Sequence, residues 1–125
     1  MTPEGAAERR RKAERGGRRA EWLASLTLMI KGFSILSRRY RTPLGEIDLI
    51  ARRGRLVVFA EVKARRSADA AVEAVTASAR RRIEKAAGLF LSRHSHLADC
   101  MMRYDIVAVS GWHVRHRPDA WREGE

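Results

Sequence analysis

Apolar positions along this chain fall into two stretches of helical period and five of β-type pattern. Between Arg18 and Lys31, Trp22, Leu23, Leu26 and Ile30 recur at helical spacing. They predict a helix whose core face is that stripe, closed by Gly32 as a C′ residue. Glu21 lies off the stripe, in a row with Ala24, Ser25 and Leu28. Phe33–Arg41 alternates as a strand and ends at Thr42-Pro43. Gly45–Arg52 alternates too, with Ile47, Leu49 and Ala51 on one face and Glu46, Asp48 and Ile50 on the other. Leu56–Arg65 is rich in β-branched and aromatic residues, and Arg53-Gly54 before it reads as a hairpin turn. Ser67-Ala68-Asp69 is a linker in which Asp69 could cap a short turn through Thr76. Thr76–His94 is the second long helix, on a stripe of Ile83, Ala86, Ala87, Phe90 and Leu91. Arg103–Ser110 and Trp112–Arg117 are strands across Gly111, with a last turn over Pro118–Trp121. The first of them follows a helix and should lie parallel to Leu56–Arg65. The order α-β-β-β-α-β-β predicts an α/β domain, a mixed sheet flanked by helices.

The hairpin carries the chemistry. A turn at Arg53-Gly54 pairs Arg52 with Arg55, so Asp48 faces Phe59 and lies diagonal to Glu61. Side chains alternate along a strand, so Asp48, Glu61 and Lys63 share one face. Diagonal neighbours stand roughly 7–8 Å apart, close enough for two carboxylates to share one hard cation. Mg²⁺ usually takes one or two carboxylates plus water and phosphate oxygens. A lysine two residues beyond the second acid reaches the same place, where it can hold a water or steady charge on phosphate. The competing reading is a solvated sheet face with an ordinary Glu/Lys mix. Ile50, Val57 and Phe59 make the face more apolar than that reading expects.

G-E-I-D-L-I-A followed by V-F-A-E-V-K-A-R-R resembles the YraN family, uncharacterised bacterial proteins of restriction-endonuclease-like fold. The wider pattern is similar to the PD-(D/E)XK nuclease signature, a carboxylate on one strand and E-x-K on the next. The resemblance implies that Asp48, Glu61 and the backbone carbonyl of Val62 bind Mg²⁺ (or Mn²⁺) and that Lys63 assists water attack. The family's strand usually reads V-F-V-E-V-K; Ala60 departs from it at a position whose side chain points away from the site. A glutamate in a G-x-x-x-E-x-x-A setting of the first helix corresponds to Gly17, Glu21 and Ala24, which makes Glu21 a further catalytic candidate. The family also has a lysine near the start of the second long helix. Ala79 stands in its place here, and Arg80 follows as a substitute.

Charge sharpens the choice of partner. The 125 residues carry a formal net charge of +11. Residues 1–66 hold 17 Lys/Arg against 7 Asp/Glu, and residues 67–125 hold 9 against 8, so the half with the acids is the basic half. A polyanion, DNA first, is the expected partner. A GC-rich genome is the other source of arginine. Arg38, Arg39, Arg41, Arg65 and Arg80 are the phosphate-binding candidates. Arg80, Arg81 and Arg82 oppose the dipole of the helix they open, so bound phosphate or a solvated face must favour them. Residues 1–19 read as a basic arm, helical or disordered, before a single domain over 20–125. Cys100 is the lone cysteine, and no apolar run is long enough for a signal peptide or a membrane span. A cytoplasmic protein without a membrane partner is expected. His94, His96 and Cys100 fall short of a structural zinc set. The expected function is a Mg²⁺-dependent, resolvase-like DNA endonuclease, with a homodimer if the substrate is a junction. The alternative is a non-catalytic nucleic-acid-binding module of the same fold.

Overall fold

In the computed structural model the backbone is described for residues 3–125 and side chains for residues 17–125. Helix α1 spans Pro3–Ile30, and strands β1 (Ser34–Arg41), β2 (Glu46–Arg53) and β3 (Leu56–Lys63) follow. Helices α2 (Ala68–Ala74) and α3 (Ala77–Ser92) lead through a 3₁₀ turn at Ser95–Leu97 to β4 (Met101–Ser110) and β5 (His113–Trp121). The sheet order is β1-β2-β3-β4-β5. Only β3 and β4 are parallel, and the helical crossover between them is the long connection a parallel pair requires. This is the mixed α/β architecture the sequence predicts, with one helix more. The arm expected over residues 1–19 falls largely on residues whose side chains lie outside the described set; the backbone of α1 continues through Gly17 without a break.

The sheet separates two cores. On one face Ala20, Ala24 and Leu28 of α1 meet Leu49, Ala51, Val58, Ala60, Val107 and Val109. On the other, α2 and α3 cover Ile50, Val57, Phe59, Tyr104 and Ile106. Ile47, expected beside Leu49, belongs to this second core.

Helix α1 is turned relative to the expected stripe. Trp22 is 55 % exposed and Ile30 is 85 % exposed, whereas Ala24, Ser25 and Leu28 are fully buried. The inward row is therefore the one that contains Glu21. Its small side chains let the helix lie close on a sheet face that is itself lined with Ala51 and Ala60.

The hairpin register also differs. Arg53 pairs with Leu56, so the two-residue turn is Gly54-Arg55, and Ile50 rather than Asp48 faces Phe59. Gly54 sits at φ 58, and no positive φ occurs at Arg55, so a glycine is needed only at the first turn position. The slip is two residues, an even number, so it leaves the faces of the paired residues 49–53 as expected; Ile47, beyond that paired stretch, is the exception. Carried one step past Leu49↔Ala60, the ladder sets Asp48 directly across from Glu61.

Ser67, not Asp69, caps α2, accepting a bond from the Ala70 amide at 3.0 Å. The turn expected over Pro118–Trp121 is the end of β5. Among the described residues no helix is long and apolar enough to cross a membrane.

Candidate functional site

Where β2 begins and β3 ends, the sheet opens into a cleft of about 640 Å³. Gly17, Ala20 and Glu21 of α1 form one wall, and Ala79, Arg82 and Ile83 of α3 form the other. Asp48, Glu61 and Lys63 lie between them, beside the loop Thr42–Gly45. That loop is tied by its first residue. The Thr42 hydroxyl donates to the Gly45 carbonyl (2.8 Å) and accepts from the Leu44 (3.1 Å) and Gly45 (3.0 Å) amides. Gly45 lies against α3: a Cβ there would meet the Arg82 carbonyl oxygen and stand 2.8 Å from its carbon. Glycine is thus required by close approach of two backbones, and the approach sets the width of the cleft.

Asp48 and Glu61 are held together. One Asp48 oxygen accepts the Val62 amide at 2.8 Å, so the side chain takes a backbone hydrogen bond at the end of the hairpin. The Glu61 carboxyl is pushed up to about 9. Burial is the largest cause; the hydrogen bond to Asp48 and its charge add to it, and Lys63 opposes. Glu61 therefore holds a proton at neutral pH in the metal-free protein. A carboxyl whose folded pKa lies above its unfolded value stabilises the fold fully below about 4.5 and loses that stabilisation as pH rises to about 9. In EDTA, the melting temperature should fall across this window more steeply for wild type than for Glu61→Gln. Parallel slopes would show that the two acids do not share a proton.

Glu21 reaches the same cleft but is already paired, its Oε2 accepting from Arg39 Nε at 2.7 Å. Arg39 adopts φ 53, a left-handed conformation that a long side chain rarely takes. Arg39 is also held charged by Asp48 and Glu46, after Glu21 itself. Among the described residues no three Asp, Glu, His or Cys side chains gather as a metal cluster. The protein supplies two adjoining carboxylates, all-oxygen donors of the number Mg²⁺ usually takes from a protein. The charge of Asp48, which raises the Glu61 carboxyl, is one a divalent cation bound by both acids would offset.

The arginines divide. Arg38 is exposed and bonds Ser25 at 3.4 Å, and Arg41 is exposed and loosely paired with Glu46 at 3.5 Å. Arg65 is exposed just beyond Lys63. Of the three arginines that open α3, Arg80 lies over the Trp121 ring at 5.4 Å and Arg81 is bound by Glu84, at 2.6 and 2.8 Å. These contacts offset the unfavourable helix dipole without phosphate. Arg80 is absent from the cleft wall, and Arg82 is the arginine that lines it. Ala79, the position of the expected lysine, also lines it, and Arg82 follows one helical turn later. The sequence names Arg82 only together with Arg80 and Arg81 and does not set it apart as a site residue, and the close approach of Gly45 leaves no mark in it. The i,i+3 spacing from Ala79 was the available signal for Arg82. Charge reversal at Arg82 should weaken DNA binding several-fold and reduce its salt dependence, while reversal at Arg80 should chiefly lower stability. Equal binding losses in the two variants would remove this distinction.

A model of the uncharacterised protein family UPF0102 matches residues 20–109. The chain belongs to that family. The motif resemblance to YraN proteins and this match point to the same UPF0102 group. A UPF0102 protein of Mesorhizobium japonicum is 58 % identical over 103 residues, 82 % of each chain. One of Rhizobium meliloti is 52 % identical over 122 residues, 97 % of this chain and all of its own. One of Paramagnetospirillum magneticum is 49 % identical over 115 residues, 88 % of this chain and 89 % of its own. The UPF0102 match spans α1 from Ala20 to nearly the end of β4, and so includes every acid and lysine of the cleft.

Proposed function

We propose that this UPF0102 protein is a metal-dependent endonuclease that hydrolyses phosphodiester bonds in DNA, of a resolvase-like kind. The observation that carries the reading is the pair Asp48 and Glu61, held in contact inside a cleft that Lys63, the next residue on the same face of β3, also lines. Asp48 and Glu61, with the Val62 carbonyl, would hold Mg²⁺ or Mn²⁺. A cation there supplies Lewis-acid stabilisation of the charge that builds on phosphate. Lys63 orients the attacking water or bonds a phosphate oxygen. Arg39, fixed by Glu21, and Arg82 across the cleft neutralise the strand. Glu21 assists by fixing Arg39, and Arg38, Arg41 and Arg65 extend the basic rim.

The rival is a non-catalytic nucleic-acid-binding module. The pairing of Glu21, the further acid expected at the site, with Arg39 favours it. A panel of labelled linear, branched and single-stranded DNAs, titrated with Mg²⁺ and Mn²⁺, decides between them. Metal-dependent cuts lost in Glu61→Gln support the enzyme. Binding to the panel without cuts under either metal leaves the module.

A further inference from the structure

The outward row of α1 and the β4–β5 turn come together near the cleft. Lys63 stands opposite Ala108 in the parallel pair, so the turn that follows Ser110 lies at the cleft end of the sheet. Gly111, at φ 59, and Trp112 make that turn. Positions alternate along β5, and Val114 packs toward α1 while His116 Nδ1 meets Lys31, just past the end of α1, at 2.8 Å. Trp112, in phase with them, lies on the α1 side. The Arg19 guanidinium sits 5.7 Å from its ring centroid, yet Trp112 remains 72 % exposed. Trp22, 55 % exposed, is the i+3 neighbour of Arg19 on the helix surface.

We propose that Trp112 and Trp22, with Arg19 between them, form a stacking platform for unpaired bases of a strand that enters the cleft. The substrate class is then DNA with a single-stranded segment. This rests on the nucleic-acid reading above. Two exposed indoles interleaved with a cation suit single strands, because splayed bases present flat faces whereas a duplex presents only base edges and phosphates. Arg18 and Arg19 are both exposed and would meet backbone phosphates beside those bases. A second copy docking here would set these arginines near their own kind, although Met29 and Ile30 continue an exposed apolar row toward the other end of α1.

Binding is measured in EDTA, to prevent cleavage, with labelled single-stranded, blunt-duplex and overhang-bearing oligonucleotides. The single strand and the overhang should quench tryptophan emission. Trp112→Ala should weaken binding to both by roughly tenfold, the scale of one lost base–aromatic stack, and leave blunt-duplex affinity unchanged. Trp112→Phe should restore most of the loss, and Trp22→Ala should repeat it more weakly. Equal single-strand affinity in wild type and Trp112→Ala overturns the platform, as does an equal loss on blunt duplex. A shift of wild-type sedimentation toward dimer that Trp22→Ala abolishes would assign the face to self-association instead. Wild type that binds no oligonucleotide overturns both this inference and the reading beneath it. Metal-dependent cleavage with unchanged single-strand affinity in Trp112→Ala overturns this inference alone.

Discussion

On the endonuclease proposed above, Glu61→Gln is expected to abolish cleavage and to erase the stabilisation expected of Mg²⁺ in wild type, without unfolding the protein. Glu61 is half-buried against Asp48, and its carboxyl, pushed up to about 9, favours the protonated form at neutral pH in the absence of metal. An amide is nearly isosteric with that protonated carboxyl, so the apo fold should tolerate the change. A cation that binds the folded state raises its melting temperature by mass action, about 2.7 kcal/mol at one hundred times its dissociation constant. Glutamine offers no charge to it, so the rise should vanish. Loss of an electrostatic centre of this kind costs about 10²–10³ in rate for a single donor, and more when the cation is lost with it. Asp48→Asn should behave alike but also weaken the bond to the Val62 amide. Lys63→Ala should retain the thermal response to Mg²⁺ and lose most of the rate. Single-turnover cleavage and thermal melts with and without Mg²⁺ are the measurements. Identical melting responses in wild type and Glu61→Gln, with no cutting by either, would leave a binding module.

Asp105→Ala is expected to destabilise the fold by about 3–5 kcal/mol, the range for removing one partner of a buried ion pair. Asp105 is fully buried yet meets Arg103 at 2.8 and 2.9 Å, His116 Nε2 at 2.7 Å and the Asp119 amide at 3.0 Å. Burial opposes its ionisation, and the bonds from His116, Arg103 and Asp119 win, so its carboxyl lies below the ordinary range. A depressed carboxyl contributes stability above its unfolded pKa near 3.8 and loses it as pH falls below that value. Wild type should therefore soften in acid, and Asp105→Ala should be nearly as unstable at pH 7 as at pH 3. Urea titrations at both values test this. A loss below about 1 kcal/mol at pH 7 would show that Arg103 and His116 find other partners. The network joins β4 to β5 and, through Lys31, to the turn after α1, away from the cleft, so the variant's effect should fall on stability rather than on metal response.

Much of the site was legible because it depends on parity. Asp48, Glu61 and Lys63 share a face whenever the hairpin pairing sum is odd, and the turn at Gly54-Arg55 keeps it odd although the register is two residues from the one expected. The placement of the turn was less legible, because Arg53-Gly54 and Gly54-Arg55 both offer a glycine. The arginines at the start of α3 could not be sorted from spacing alone. Arg80 goes to Trp121, which lies more than thirty residues later, and a long-range stacking contact leaves no local trace.

Helix α1 separates what the chain carries locally from what packing decides. Its helical period is written in residues 18–31, but the apolar count favoured the row with Trp22 and Ile30, and the fold buries the row with Ala24, Ser25 and Leu28. Periodicity states that a helix has faces; it does not state which face fits a given sheet. Local pattern determined the long elements, their order and the phase of the acids along each strand, since those follow from backbone geometry over a few residues, but it left out α2 and the end of β5. Tertiary structure alone decided that Glu21 meets Arg39, that Gly45 touches the backbone of α3, that Arg82 lines the cleft, and that Arg19 reaches Trp112. Each of these depends on how closely two distant elements approach, which is settled by side-chain volumes across the whole core and not by any single stretch of chain.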